Sequence, residues 1–365
     1  MASPGSLLCC GLVCTVGVGV GLGSTAVPLY LGECTTPGWR GVAVTSNQVA
    51  ITFGQLAAGL SCGLLGGRPE GWRWMLGLAA LPAALQAAGM LAMPESPRLL
   101  IAWGRREKAA AVLATLRPPR HSVMDEVEEI AVASRRCEAG GLGAVLRQPL
   151  ARKALLLGCL LQAVQQLAGI NTVMYYSGAL LQRAGAADQL AIWLVAVTAA
   201  INFLASLLGL RLVQGCSRRS LLLSSLLLVC LALLLTAASF PLVPALGPGP
   251  TLAALCLYLL AFGPGLGPLP WTINSELHPP WCRASSIALA TTTNWLANLL
   301  VSATFLPLIS SLGEAPTFLC YCGVTLVGSL LLHLHLPETK DLPLEAVEEL
   351  LASKGHPHYN PLSLH

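Results

Sequence analysis

Nine apolar runs punctuate the chain, at about 7–31, 42–66, 72–93, 154–182, 188–213, 219–242, 251–277, 284–308 and 317–336. About 20 apolar residues in an α-helix cross the hydrocarbon core of a bilayer, so each run predicts one membrane-spanning helix. A polar stretch at 97–153 separates the third run from the fourth. Its charged, helix-compatible strings, such as Asp125-Glu126-Val127-Glu128-Glu129-Ile130, predict short helices outside the bilayer, with a solvated linker as the other reading. Within the seventh run, Gly263 to Trp271 holds three glycines and three prolines. Proline removes a backbone donor and kinks a helix. In a membrane such a break is tolerated where the freed carbonyls line a cavity or find neighbours, so a broken helix is predicted here.

The pattern is written twice. Glu33 recurs as Glu276, Arg40 as Arg283, and Pro94-Glu95 as Pro337-Glu338, each 243 positions on. A duplicated membrane protein repeats its helix ends in this way. Carried back by the same offset, 153–243 fall before Met1. The first copy is therefore expected to lack the three helices that open the second.

Composition supports the membrane reading. The chain is 55% hydrophobic and 10% charged, against about 25% charged in soluble domains. With 97–153 placed in the cytoplasm, all of the 21 lysines and arginines except Arg68, Arg73 and Arg183 lie on that side, as the positive-inside rule requires. The C-terminus is then cytoplasmic, including a short tyrosine string, Tyr359-x-x-Leu362. A net charge of +4 with its basic residues in loops offers no track for nucleic acid. Thirteen cysteines are scattered without a C-x-x-C pair, which argues against a disulfide framework. No nucleophile–base pair or metal-ligand cluster is read, so neither an enzyme nor a bound cofactor is expected.

The informative polar residues are amides inside the spans. Gln165, Gln166 and Asn171 lie in the fourth run, and Gln162, Gln165 and Gln166 share one helix face by i, i+3, i+4 spacing. Amides facing lipid are costly, so these face a cavity or a neighbouring helix. An amide both donates and accepts, which matches the hydroxyls of a sugar or polyol. Helix–helix hydrogen bonding uses the same groups, and periodicity alone leaves both readings open. Asn202 in the fifth run, and Asn294 and Asn298 in the eighth, carry the same argument.

Four strings carry a family resemblance: Pro94-Glu95-Ser96-Pro97-Arg98, Gln165-Gln166-Leu167-Ala168-Gly169-Ile170-Asn171, Gly263 to Trp271, and Pro337-Glu338-Thr339-Lys340. Together they resemble the sugar-porter family of the major facilitator superfamily, over about residues 11–350. Gly71-Trp72-Arg73-Trp74, Asn171-Thr172-Val173-Met174-Tyr175-Tyr176 and Trp271-Thr272-Ile273-Asn274-Ser275-Glu276 are most similar to the proton/myo-inositol cotransporter branch. The resemblance implies an all-α polytopic membrane protein, a major facilitator fold lacking its first three helices. Its parts would be a partial first bundle at 7–93, a cytoplasmic linker with short helices at 94–153, a six-helix second bundle at 154–336 and a tail at 337–365.

The implied activity is alternating-access transport of a sugar or polyol, myo-inositol foremost, across the plasma membrane. Facilitated hexose transport and a non-transporting truncated product are the alternatives. The family binds substrate at the positions of Gln165, Gln166, Asn171, Asn202 and Asn298, and Asn294 joins them by spacing. Trp271 would offer its ring to the C–H face of the solute, and Gln48 aligns with a substrate-contacting glutamine of glucose-type members. Gly263 stands where those members carry a glutamate. Glu33, Arg40, Arg218, Arg219, Glu276 and Arg283 would form the cytoplasmic charge network that latches the outward-facing state. Gln214 and Ser217 replace an acid and a glycine of the family string, which predicts a weaker latch. Protons are a partner by resemblance alone: no Asp or Glu lies near the middle of a run, whereas a proton relay needs a titratable group at depth.

Overall fold

The structure, a computed structural model, describes residues 4–118, 122–137, 142–279 and 281–340, with side chains from residue 13 onward apart from Pro37 and 133–142. The tail beyond Lys340, with Tyr359 and Leu362, lies outside the described residues.

All regular structure among the described residues is helical. Helices α1 (Pro4–Cys34) and α2 (Pro37–Leu65) are followed by α3 (Gly71–Leu78) and α4 (Ala80–Ala92), which share the third span. The linker holds α5 (Pro97–Ala102), α6 (Arg106–Leu116), α7 (Val123–Cys137) and α8 (Leu142–Arg147). The second half runs through α9 (Pro149–Leu167), α10 (Ile170–Arg183), α11 (Asp188–Gly215), α12 (Arg218–Ser239), α13 (Val243–Leu246), α14 (Gly249–Ala261), α15 (Leu269–Leu277), α16 (Arg283–Leu312) and α17 (Glu314–His335). Together they supply nine stretches long and apolar enough to cross a bilayer among the described residues. Proline opens α2, α5 and α9, the position where its missing N–H costs nothing.

Two of the interrupted spans bear on the site, one where the sequence predicts the break and one where it does not. The seventh passes from α14 through a π-turn at Phe262–Leu266 into α15, as the prolines and glycines require. The fourth is interrupted at Ala168-Gly169, where Gly169 takes φ +86° and opens α10. Only glycine adopts that conformation without a steric cost. The carbonyl freed there is taken up: Tyr258 donates its hydroxyl to Ala168 O at 3.0 Å, while Gly169 O accepts the first backbone N–H groups of α10 and Thr172 Oγ1 at 2.7 Å.

The halves differ in how much they bury. The first three spans bury 6%, 17% and 0% of their central windows, and the fourth buries 72%. One continuous core runs through α9 to α17, around Leu161, Leu226, Leu255, Tyr258, Phe305 and Phe318. The first half meets this core chiefly by α2 lying along α11. A Cβ on Gly59 would stand 3.2 Å from Ala196 Cα, so the missing side chain lets the two backbones approach. That is the usual source of helix association where lipid is as apolar as the interface. Trp295 Nε1 donates to Ser24 Oγ at 2.9 Å, a second tie between the halves.

The linker helices keep a small core of their own from Leu100, Ile101, Ala109, Leu113, Val127 and Ala131. Arg117 fastens them to α1. It grips Glu126 through Nε and Nη2, at 2.9 and 2.6 Å, and its Nη1 donates to the terminal carbonyl of Cys34 at 2.8 Å. The internal repeat is visible as geometry at this end. Ser96 Oγ donates to Glu33 Oε2 at 2.5 Å and Thr339 Oγ1 donates to Glu276 Oε2 at 2.7 Å, the same bond at residues 243 apart.

Candidate solute-binding site

The broken helices α14–α15 and α9–α10 face each other, and the amides fill the space between them. Gln165 Nε2 donates to Leu266 O at 3.1 Å and to Gly267 O at 2.6 Å, the carbonyls released by the π-turn. Asn294 of α16 donates from Nδ2 to Gln165 Oε1 at 2.8 Å and to Gln162 Oε1 at 2.7 Å. Gln166 Nε2 donates to Asn294 Oδ1 at 3.0 Å, and Asn171 Nδ2 donates to Gln166 Oε1 at 2.6 Å. Five amides on α9, α10 and α16 thus form one chain.

The helix–helix reading describes Gln162 and Asn294, at 0% and 2% exposure: Asn294 is bonded on both sides, and Gln162 accepts through Oε1 while its buried Nε2 has no partner. Gln166 and Asn171, at 7% and 8%, are the members with surface left to offer. Asn298 lies one turn beyond Asn294, at 7%, and its Oδ1 accepts from Ser302 Oγ at 3.1 Å. Trp271, in α15, is half-buried.

Asn202 belongs to a second group that joins the halves. Its Nδ2 donates to Gln55 Oε1 on α2 at 3.0 Å. Gln55 was not singled out from the sequence, yet a signal is there: Thr45, Gln48, Thr52 and Gln55 follow a 3-4-3 spacing, a polar stripe along one face of α2. At its end Thr45 meets Thr272 of α15, Oγ1 to Oγ1 at 3.4 Å. Gln48 lies half-buried on the same stripe. Gly263 is fixed by packing, since a Cβ there would lie 2.5 Å from Ala205 Cβ, and no larger side chain fits unless α11 moves.

The six charges proposed as a latch are partly regrouped. Arg218 Nη2 lies 3.6 Å from Glu276 Oε1, within the second half, and packs against Gly41 of the first, where an added Cβ would strike it. Arg40 feels the charge of Glu276 and donates from Nε to Gly32 O at 3.1 Å. Arg283 feels Glu33, but among the described residues the two make no ion pair. Arg219 Nη2 donates to His333 O at 2.7 Å, tying α12 to the end of α17 within the second half. The residue that organises this corner is Glu338, whose carboxylate accepts from the N–H groups of Arg218 and Arg219 at 2.9 and 3.1 Å, and from Ser217 Oγ. Burial pushes its pKa up, and the bonds from Ser217, Lys340, Arg219 and Arg218 outweigh this and hold it below the usual range. It is an anion at the N-terminus of α12, where the helix dipole favours one.

The profile of the family described as "Sugar (and other) transporter" matches residues 6–351. The proton myo-inositol cotransporter of Homo sapiens is 34% identical over 433 aligned residues, covering 93% of this chain and 67% of that protein. The galactose-proton symporter of Escherichia coli K12 is 33% identical over 339, covering 92% and 73%. Among solved structures, the major facilitator proton:xylose symporter XylE bound to 6-bromo-6-deoxy-D-glucose superposes with a TM-score of 0.82 at 27% identity, covering 92% of this chain and 72% of its own. These are transporters and not enzymes. Profile, relatives and superposition agree with one another, and the chain belongs to the sugar transporter family of the major facilitator superfamily.

Proposed function

We propose that this chain carries a polyol, myo-inositol foremost, by alternating access, with Gln166, Asn171, Asn298, Trp271, Gln48 and the Asn202–Gln55 pair facing the solute. The carrying observation is the amide chain anchored on the broken helix: Gln165 holds Leu266 O and Gly267 O, and its neighbours end at Gln166 and Asn171, the least buried links. Amides can exchange bonds with one another for bonds to ring hydroxyls without leaving a buried group unsatisfied. The described name of the human relative supplies the choice of myo-inositol, and that of the bacterial one keeps a hexose as the competing solute.

Uptake of labelled myo-inositol into proteoliposomes, set against galactose and glucose, tests the reading. Inositol is expected to enter fastest, and Gln166→Ala to cut its uptake about tenfold, the equivalent of one lost hydrogen bond of about 1.4 kcal/mol. Absence of any saturable uptake would sink the transport reading. Proton coupling is the second reading, favoured by the relatives' names. An inward proton gradient decides it: accumulation above equilibrium supports symport, and simple equilibration supports a facilitated route.

A further inference from the structure

We propose, on the alternating-access reading above, that His278 is a proton-binding site that couples acidity at the linker end to the parting of the two halves. No acid lies near the middle of an apolar run, but the structure buries a histidine where α15 ends. His278 is 1% exposed. Its Nε2 lies 2.7 Å from Asn274 Oδ1, one turn back, and its buried Nδ1 has no partner. On α9 the ring meets Gly158, where a Cβ would stand 3.0 Å from Nε2. Bare backbone there lets the His278–Asn274 pair lie against α9.

The groups around the ring disfavour a second proton. From α16, Arg283 donates from Nε to His278 O at 3.4 Å, and its charge reaches the ring. Cys282 beside it donates its thiol to Pro279 O at 3.7 Å. The acid of α15, Glu276, is turned to Thr339 and Arg218. α9 presents Gly158 and, one turn on, the uncharged Gln162. Among the described residues none of these accepts from Nδ1. Burial first, and then Arg283, hold the ring neutral, with its pKa down at about 3.

Both causes depend on the first half. Its helices α1 and α2 pack on α15, and Thr45 of α2 meets Thr272 there. Arg283 in turn faces Arg98, Arg40 and Glu33 of the first half. Arg40, Arg98, Arg218 and Arg283 thus gather against Glu33 and Glu276, and an imidazolium would add a further cation to a seam already short of acids. When the halves part, water reaches the flank of α15 and screens Arg283. The ring then returns towards its ordinary value of about 6.5. The parted arrangement binds the proton and the closed one does not, so acid favours parting. From about pH 7.5 to about 5.5 the ring of the parted form goes from about a tenth to about nine-tenths protonated, while the closed form stays neutral. The ratio of parted to closed therefore rises about tenfold. The proton enters from the linker end, so the site regulates opening and is separate from any inward coupling of uptake.

Double electron–electron resonance on the full chain in nanodiscs, without solute, tests this. Spin-labelled unnatural amino acids at Glu107 of α6 and Gln214 of α11, both exposed, would report on the two halves at the linker end and leave the native cysteines in place. A second, longer distance is expected, and its share relative to the first should rise about tenfold from about pH 7.5 to about 5.5. His278→Gln keeps a donor for Asn274 Oδ1 and has no ring to titrate. It should leave both distances in place and abolish the pH dependence, and His278→Phe should do the same. His335→Gln, at an exposed histidine ending α17, should leave the pH dependence intact. A pH dependence kept by both His278 variants would overturn the proposal, and so would a second distance whose share ignores pH in the native chain. A single distance at every pH would overturn the alternating-access reading along with it.

Discussion

At the residue scale, cost is set by what a buried polar atom can reach. His278 lies between α15 and α16 at 1% exposure, with Nε2 2.7 Å from Asn274 Oδ1 and a buried Nδ1 that has no partner. A neutral ring that donates from Nε2 fits. A second proton on Nδ1 would have no acceptor and would face Arg283, so burial first, and then that arginine, drive the pKa down from 6.5 to about 3. The folded chain therefore binds this proton less readily than the unfolded chain. The stabilising effect of a neutral His278 is complete above pH 6.5 and is lost as pH falls from 6.5 towards 3. Thermal melts in detergent should show a falling Tm across that window, and His278→Asn should flatten the slope. A slope unchanged by the substitution would show that other groups govern the acid limb.

At the element scale, a broken helix needs partners for the groups it releases, and Ser225 of α12 is one. Its Oγ donates to Ala261 O at 2.6 Å and accepts from Leu266 N at 2.9 Å, bridging the π-turn on the side opposite Gln165. Ser225→Ala would remove both bonds and leave Ala261 O and Leu266 N to the π-turn's own backbone pairing, at a cost of about 1 kcal/mol. The expected outcome is a lower melting temperature, and faster hydrogen exchange confined to 261–268. Exchange raised evenly along α12 would instead point to general loosening. The break itself was legible because prolines and glycines act locally. The Ala168-Gly169 break was not, since one glycine in an apolar run is tolerated in a helix; only the tertiary reach of Tyr258 shows that a carbonyl was freed there. The same limit explains the amides. Their face could be read from spacing, but which of them are spent on each other depends on how α9 and α16 meet. Gln55 shows the converse, since its stripe was readable but its partner lies 147 residues away.

At the scale of the whole molecule, the two halves meet at the linker end around one acid. Glu276 is 9% exposed, bonded to Thr339 Oγ1, and faced by Arg218 of its own half and by Arg40 of the other. Ser96–Glu33 repeats the hydroxyl–carboxylate bond in the first half, where Glu33 faces Arg283. Each half therefore presents an acid to an arginine of the other, and the charges act across the seam although among the described residues no ion pair closes it. Such an arrangement contributes little rigidity and much bias, because separating the halves exposes both arginines to water while closing them requires the acids. Gln214, exposed beside this corner, adds no charge to it. Glu276→Gln removes the acid that both Arg218 and Arg40 face and leaves Arg218 buried without it, a loss of about 3 kcal/mol for the closed arrangement. That corresponds to roughly a hundredfold change in the ratio of closed to open. Hydrogen exchange should rise at the start of α2 and the end of α15, the two sides of the seam, and stay unchanged around Arg183–Glu314, an ion pair at the opposite end. Exchange raised only within α15 would mean that Glu276 stabilises its own helix and does not hold the halves together. Gly41→Val separates the two outcomes, since its side chain strikes Arg218 from the first half while Glu276 stays in α15.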